Sequence, residues 1–311
     1  MPVAQPHFIC IGGALIDRKY VLHGPLLAGT SNPGTVSITF GGVARNIAEN
    51  LARLGNKVAL AAAIGADSGG AALRADLISL GVDTTALILM PDHPTAEYAA
   101  ILQAGNRELA LAVVAMDAAE HAIEHGLNAL MAQIPAETIV FADANLSQAA
   151  LQILLAAQQR VGFRLALDAV SISKAQRLPH RLDGVDLIFM NTDEAQSYLG
   201  TTAKPADLAR YLTERGANRA IVTAGANGAY FHDGAIGNQC DGIDAQVADV
   251  TGAGDSLIAA TLWRIAQGDT LGSAIGWGIL AAGLTVESTK SVRPDLSADF
   301  LIANRWRIAL P

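Results

Sequence analysis

Asp249-Val250-Thr251-Gly252-Ala253-Gly254-Asp255 stands between a segment that reads as a short strand and an apolar stretch, 256–265, whose spacing predicts a helix. Two glycines around an alanine leave so little side chain that backbone N–H groups can approach a ligand closely. At the start of a helix those unpaired donors, together with the helix dipole, favour an anion. An acid closing such a turn repels an anion and has no place in a pure anion site. It fits a site where a carboxylate takes a proton from a hydroxyl while an anionic transition state is held beside it. Taken alone, the run would serve equally as a capping aspartate after a glycine turn.

A second glycine turn lies upstream. Gly41-Gly42-Val43-Ala44-Arg45-Asn46 opens a segment with Val43, Ile47, Leu51 and Leu54 on one face, and Gly55 closes it as a helix stop. Asn46 then projects from the first turn beside the glycines. Phe8-Ile9-Cys10-Ile11-Gly12-Gly13 reads as a buried first strand, with Asp17 just beyond its carboxyl end. From residue 58 onward, strand-like and helix-like segments alternate, which predicts a mostly parallel sheet covered by helices on both faces. Three pieces fall outside that alternation: 36–40, 97–102 and 108–114, the last two joined as a hairpin. Polar residues gather where strands should end: Asp143 and Asn145, Asp168, Asn191-Thr192-Asp193-Glu194, and Thr223-Ala224-Gly225-Ala226-Asn227-Gly228.

Composition narrows the function classes. The chain has 311 residues, half of them hydrophobic and 16% charged, enough for one large α/β domain with a substantial core. A net charge of −8 argues against binding a nucleic acid polymer. The two cysteines, Cys10 and Cys240, suit buried thiols in a reducing compartment better than a disulfide framework. No basic-then-apolar pattern marks the N-terminus, and the apolar run at about 274–286 is short and glycine-broken, so a cytoplasmic protein without a membrane span is expected. His121-Ala122-Ile123-Glu124-His125 fits a zinc-peptidase spacing, yet its polar surroundings and the lack of a third ligand favour a solvated helix face. Neither a P-loop nor a dinucleotide fingerprint occurs, so any phosphate cradle must come from the glycine turns already named.

Those turns resemble the two signatures of the ribokinase-like (PfkB) carbohydrate kinases, and the resemblance spans nearly the whole chain. It implies a three-layer α/β/α sandwich with a mostly parallel central sheet, a single domain over 1–311. A small β lid over about 18–40 and 93–115 would often double as a homodimer surface. In that family Asp255 would be the catalytic base, and Gly252, Ala253 and Gly254 the anion hole for the transferring phosphoryl group. Asp17, Gly41, Gly42 and Asn46 would grip the sugar. Thr223, Gly225, Gly228 and Asn191 would attend ATP, with Glu194 and Asn191 organising Mg²⁺ through water. Asp249 and Thr251 match positions that hold a monovalent cation, K⁺, in some relatives.

Within the family, Ser31-Asn32-Pro33-Gly34, the 45–51 run, Asp143-Ala144-Asn145, Asp168-Ala169-Val170-Ser171 and Pro294-Asp295-Leu296-Ser297 resemble the pseudouridine-phosphorylating members. The likeness to ribokinases or phosphofructokinases is smaller. On that resemblance Ser31, Asn32, Thr95, Asp143 and Lys174 become substrate-side contacts. Ala169 stands where those members usually have proline, and Ser291-Val292-Arg293 before Pro294 also departs from them. Another nucleoside or sugar (ribose, adenosine, ketodeoxygluconate) and a catalytically inactive sugar-binding sensor remain open alternatives.

Overall fold

Alternate residues of the parallel strands enter two different cores. The computed structural model describes residues 8–105 and 107–308, without the side chains of 117–122 and 125. The chain starts with β1 (Phe8–Ile11), makes the antiparallel pair β2 (Leu15–Leu22) and β3 (Gly34–Gly41), and returns through α1 (Val43–Arg53) to β4 (Val58–Ala61). Short β5 (Ala63–Gly65), α2 (Ser68–Ser79) and β6 (Ile88–Met90) precede the hairpin β7 (Glu97–Leu102) and β8 (Leu109–Ala115). There follow α3 (Asp117–Met131), β9 (Ile139–Asp143), α4 (Gln148–Val161), β10 (Arg164–Asp168), the single turn α5 (Ile172–Ala175) and β11 (Leu187–Asn191). After α6 (Thr192–Leu199), α7 (Pro205–Glu214) and β12 (Arg219–Thr223), the strands β13 (Ala229–His232) and β14 (Gly237–Cys240) form an antiparallel edge. The helices α8 (Ala253–Ala266), α9 (Leu271–Val286) and α10 (Ala298–Ala303) complete the chain.

The main sheet runs β14-β13-β12-β11-β10-β9-β1-β4, parallel from β12 to β4. On one face Phe8, Cys10, Phe141 and Phe189 pack with α1, α2, α8 and α9. Their chain neighbours Ile9, Ile11, Val140 and Ile188 pack on the other with α3, α4 and α7. The period of two in the strands therefore yields the three-layer α/β/α sandwich. Because β12, β11, β10, β9 and β1 are parallel, their carboxyl ends lie along one rim. Register sets Asp143 beside Asp168 there, and Asn191 beside Thr223.

A second sheet, β3-β2-β7-β8, is fully separate in its pairing. Cross-strand register puts Asp17, Thr39, Tyr98 and Val114 on one face, and Arg18, Ile38, Ala99 and Val113 on the other.

Three expectations change. The strand expected before Asp249 does not form; 241–250 is an irregular connection leaving the sheet edge at β14. Its Ile243, Val247 and Val250 are apolar because they line cavities, not because they pair. The single strand expected over 58–64 is two, since the chain leaves the main sheet at Ala62 and β5 pairs with β6 instead. And Asp17 lies inside β2 rather than in a loop past β1.

Candidate active site

The turn at 252–254 starts α8 with no side-chain cap; the Ala253 N–H donates to the Val250 carbonyl at 3.3 Å, which leaves the amides of Gly252 and Gly254 as the donors open to a ligand. Gly252 is left-handed at φ 82°, and a Cβ there would run into the Ser291 carbonyl, so both conformation and space require glycine. Gly254 is different. Its φ is ordinary, and a Cβ would meet nothing within 4 Å. No protein atom asks for glycine at 254, which leaves close approach by a ligand as the physical reason for a bare backbone.

Asp255 follows on the first turn of α8, and its Oδ2 accepts a hydrogen bond from Asn46 Nδ2 at 2.8 Å. Burial raises the carboxyl to about 7; the Asn46 bond and the Arg45 charge oppose that rise, and the Asp143 charge adds to it. Half of such carboxyls are ionised near neutrality, which suits a group that must take up a proton and release it.

Beneath the site, the fully buried Asp143 accepts from the amides of Gly13 (3.0 Å), Ala44 (2.8 Å) and Asn145 (2.9 Å). It pins the Gly12–Gly13 corner to the start of α1. Gly42 closes that corner at φ 100°, where a Cβ would strike the Gly13 carbonyl.

Two cavities flank the 252–255 turn. One, of about 1060 Å³, is walled by the inner face of the second sheet. It brings together Asp17, Gly41, Gly42, Asn46, Lys174 and Asp255. Asp17 is 7% exposed, and its Oδ1 has no hydrogen-bond partner among the described residues. Its carboxyl is pushed up, chiefly by burial, with Lys19 opposing. A hydroxyl donor from a ligand would satisfy that oxygen. Elsewhere in the same cavity Lys174 Nζ hydrogen-bonds Asn145 Oδ1 and approaches Met116 Sδ at 3.2 Å. Val170 also lines it, held at φ 65° by the bond from its amide to Asp168 Oδ2 (2.9 Å). A β-branched residue in the left-handed region stores about 1–3 kcal/mol of strain.

The other cavity, about 430 Å³ and mostly apolar, holds Thr223, Gly225, Gly228, Ala253 and Gly254 together with Leu257, Ile279 and Val286. Val247 and Val250 border both cavities.

Of the remaining sequence-selected residues, Asp249 and Thr251 line the large cavity and the others lie outside it. Ser31 and Asn32 sit on the exposed turn between β2 and β3, where Asn32 binds the Leu27 backbone in both directions. Thr95 is buried, its hydroxyl donating to Asp67 and accepting from the Gly65 amide. Neither group lines the large cavity. Asn191 and Glu194 form a reciprocal capping box at the start of α6, with bonds of 2.9 and 2.8 Å. Burial raises the Glu194 carboxyl, and burial together with the Glu194 and Asp255 charges raises Asp168 well above the usual carboxylate range. Asp249 Oδ1 accepts from both the amide and hydroxyl of Thr251, and its Oδ2 lies 3.5 Å from Lys19 Nζ. Within the 121–125 run, Ser147 donates to Glu124, while the His121 and His125 side chains lie outside the described residues.

Sequence reasoning passed over Arg45, Lys19 and Tyr98. Lys19 and Asp17 share a face of β2, a signal hidden because that strand was not read as one.

Known proteins resemble the chain over nearly its whole length. Residues 5–298 match the pfkB family carbohydrate kinase profile. The chain is 31% identical over 306 residues to a pseudouridine kinase of Escherichia coli (strain K12), covering 94% of each. It is 25% identical to a guanosine-inosine kinase of Exiguobacterium acetylicum, over 90% of this chain and 94% of that one. A carbohydrate kinase structure from Agrobacterium tumefaciens superposes with a TM-score of 0.84 at 30% identity, covering 98% of both chains.

Proposed function

The chain belongs to the pfkB family of carbohydrate kinases, and on that premise we propose that it phosphorylates the ribose 5′-hydroxyl of pseudouridine at the expense of ATP. One observation carries the chemistry: Asp255 and an uncapped, side-chain-free helix start sit together between two cavities. ATP with its Mg²⁺ supplies the phosphoryl group when bound. The residues suit it, because the space a Cβ of Gly254 would fill is open and the adjoining cavity is apolar enough for a base. Asp168, half-buried, and Glu194, buried, are acids whose repulsion a divalent cation would relieve. Among the described residues no group of three or more such side chains converges as a cage, so Mg²⁺ would keep most of its water shell.

Asp255 would accept the hydroxyl proton. Asp17 and the Gly41–Gly42 turn would hold the ribose, and the open amides of the 252–254 turn, those of Gly252 and Gly254, would hold developing charge, so positioning and electrostatics do the work. Asp249 is already compensated by Lys19 and Thr251, which fits a monovalent cation poorly, and no step is assigned to one.

End-to-end similarity to the E. coli pseudouridine kinase supports the acceptor, as does the Lys174–Asn145 corner, which offers an ammonium and an amide to a carbonyl-rich base. The guanosine-inosine kinase likeness favours a purine nucleoside as the second reading, and the large cavity has room for either. ATP-dependent phosphorylation of pseudouridine, uridine, inosine, adenosine, ribose and ketodeoxygluconate tests this. A kcat/KM for pseudouridine at least tenfold above every rival is the expected result; preference for inosine would establish the second reading.

The second sheet would act as lid, and its outer face exposes Val36, Ile38, Leu111 and Val113, which suits a homodimer through the lid. A cytoplasmic location accords with two free cysteines, Cys10 being buried. No helix among the described residues is long and apolar enough to cross a membrane.

A pH dependence follows from the elevated carboxyl. Asp255 must be ionised to accept a proton, and its affinity for that proton is raised, so activity is lost as pH falls. We expect kcat/KM to be level above pH 8 and to drop about tenfold per unit below about 7. A profile level down to pH 5 would remove Asp255 from the role of base.

A further inference from the structure

We propose that Arg45 is a positioning residue that keeps the Asn46 amide turned so that only its nitrogen can meet Asp255. The proposal rests on Asp255 being the base. Arg45 is 4% exposed and Asn46 5%, so neither is a surface group. Arg45 Nη1 donates to Asn46 Oδ1 at 3.2 Å and to the Phe40 carbonyl at 3.3 Å. Nη1 also lies 2.6 Å from Glu49 Oε2, while Nη2 reaches Asp76 Oδ2 at 2.6 Å, so the guanidinium is anchored to both α1 and α2. Asn46 Nδ2 then donates to Asp255.

The two ends of a primary amide are nearly the same size but opposite in hydrogen bonding. Left to itself, the amide could turn over and accept from a protonated Asp255 as readily as it donates to an ionised one. Arg45 forbids the turn. A guanidinium has donors only and stays charged, so a flipped Asn46 would set N–H against N–H in a buried place. The amide is thus one-way, and it favours the ionised, proton-accepting carboxylate. The charged groups around Asp255 are Arg45 from α1, Asp143 from β9 and Asp168 from β10. Across the cavity stand Asp17 and Lys19 from β2, Tyr98 from β7, Arg107 from the β7–β8 connection, Lys174 from α5, and Asp249 and Lys290. Of these only Arg45 touches the amide that touches the base.

The test compares the acid limb of kcat/KM in four proteins. Arg45→Met with Glu49→Gln removes the guanidinium together with the charge of its buried partner, and Arg53 and Asp76, which lose a partner each, are partly exposed; its acid limb is expected to move up by about one pH unit, with kcat/KM down about fivefold at pH 7. Asp76→Asn weakens the anchor but leaves the Arg45–Asn46 bond, and its limb should stay in place. Arg45→Lys, which still offers only donors, should restore the wild-type limb. Should the double variant fail to fold, Arg45→Gln replaces it, since a neutral amide presents donor or acceptor at will. An unmoved limb in the folded Arg45 variant, or an equal movement in Asp76→Asn, overturns the proposal. Activity retained by Asp255→Asn would overturn the base reading instead, so the two failures are distinguishable.

Discussion

Asp255→Asn should lose about 10³-fold or more in kcat while its KM for the acceptor changes little, because a positioned general base contributes about 10²–10⁴. The variant keeps a similar shape and can still accept from Asn46 through its amide oxygen, so the cleft stays assembled. It should also be more stable than the wild type at pH 8. The sign follows from the raised carboxyl: the folded state prefers the protonated form, so Asp255 favours folding fully only below about pH 4 and loses that contribution as pH rises through about 7. A neutral amide never incurs the loss. Three units would be about 4 kcal/mol; because the carboxylate is partly exposed to the cavity, a gain on the order of 1–2 kcal/mol is the realistic expectation. Thermal melts at pH 8 and pH 4, run beside single-turnover kinetics, measure both halves. A sluggish variant that is less stable at pH 8 would mean the residue holds the fold together rather than storing reactivity within it.

Gly254→Val should be the second most damaging change, and the reason is the empty space around it. Its Cβ has no protein atom within 4 Å and its φ is ordinary, so the melt should be unchanged or slightly higher, valine being a better helix former than glycine. Activity should nevertheless fall by about 10²–10³, the scale of losing one donor from an anion hole, with the loss visible in kcat/KM for ATP. Normal turnover would mean that nothing approaches this backbone, and the cradle reading would fall with it. At Gly252 the opposite holds: alanine there meets the Ser291 carbonyl and strains the backbone, so protein rather than activity would be lost.

Both glycine turns were legible in the sequence because each joins a bare backbone to a helix with clear periodicity; α1 forms within a residue or two of expectation, and α8 starts three residues early, taking Ala253, Gly254 and Asp255 into its first turn. β2 was not. Asp17, Arg18 and Lys19 interrupt its alternation, since the face that should be apolar for packing is turned to the cleft instead. The apolar residues of 241–250 misled in the other direction, resembling a strand while lining a cavity. Arg45 and Glu49 have the spacing of a solvent-facing ion pair, and only the approach of α2 shows them to be buried. Polarity at Asp143 and Thr95 answers to backbone amides that need acceptors or neighbours that need bracing, which no pattern in one segment reveals.

The separation of the two sheets has an evolutionary reading. The helix start proposed to hold phosphate would do so with backbone, which carries no memory of side chains, and it packs on the main sheet. One wall of the acceptor cavity hangs from the other, through β2, β3, β7 and β8. Substitutions on that wall can drift toward a new sugar or base without renegotiating the phosphoryl machinery. Lineages built this way would diversify by exchanging one sheet's inner surface while inheriting the rest intact.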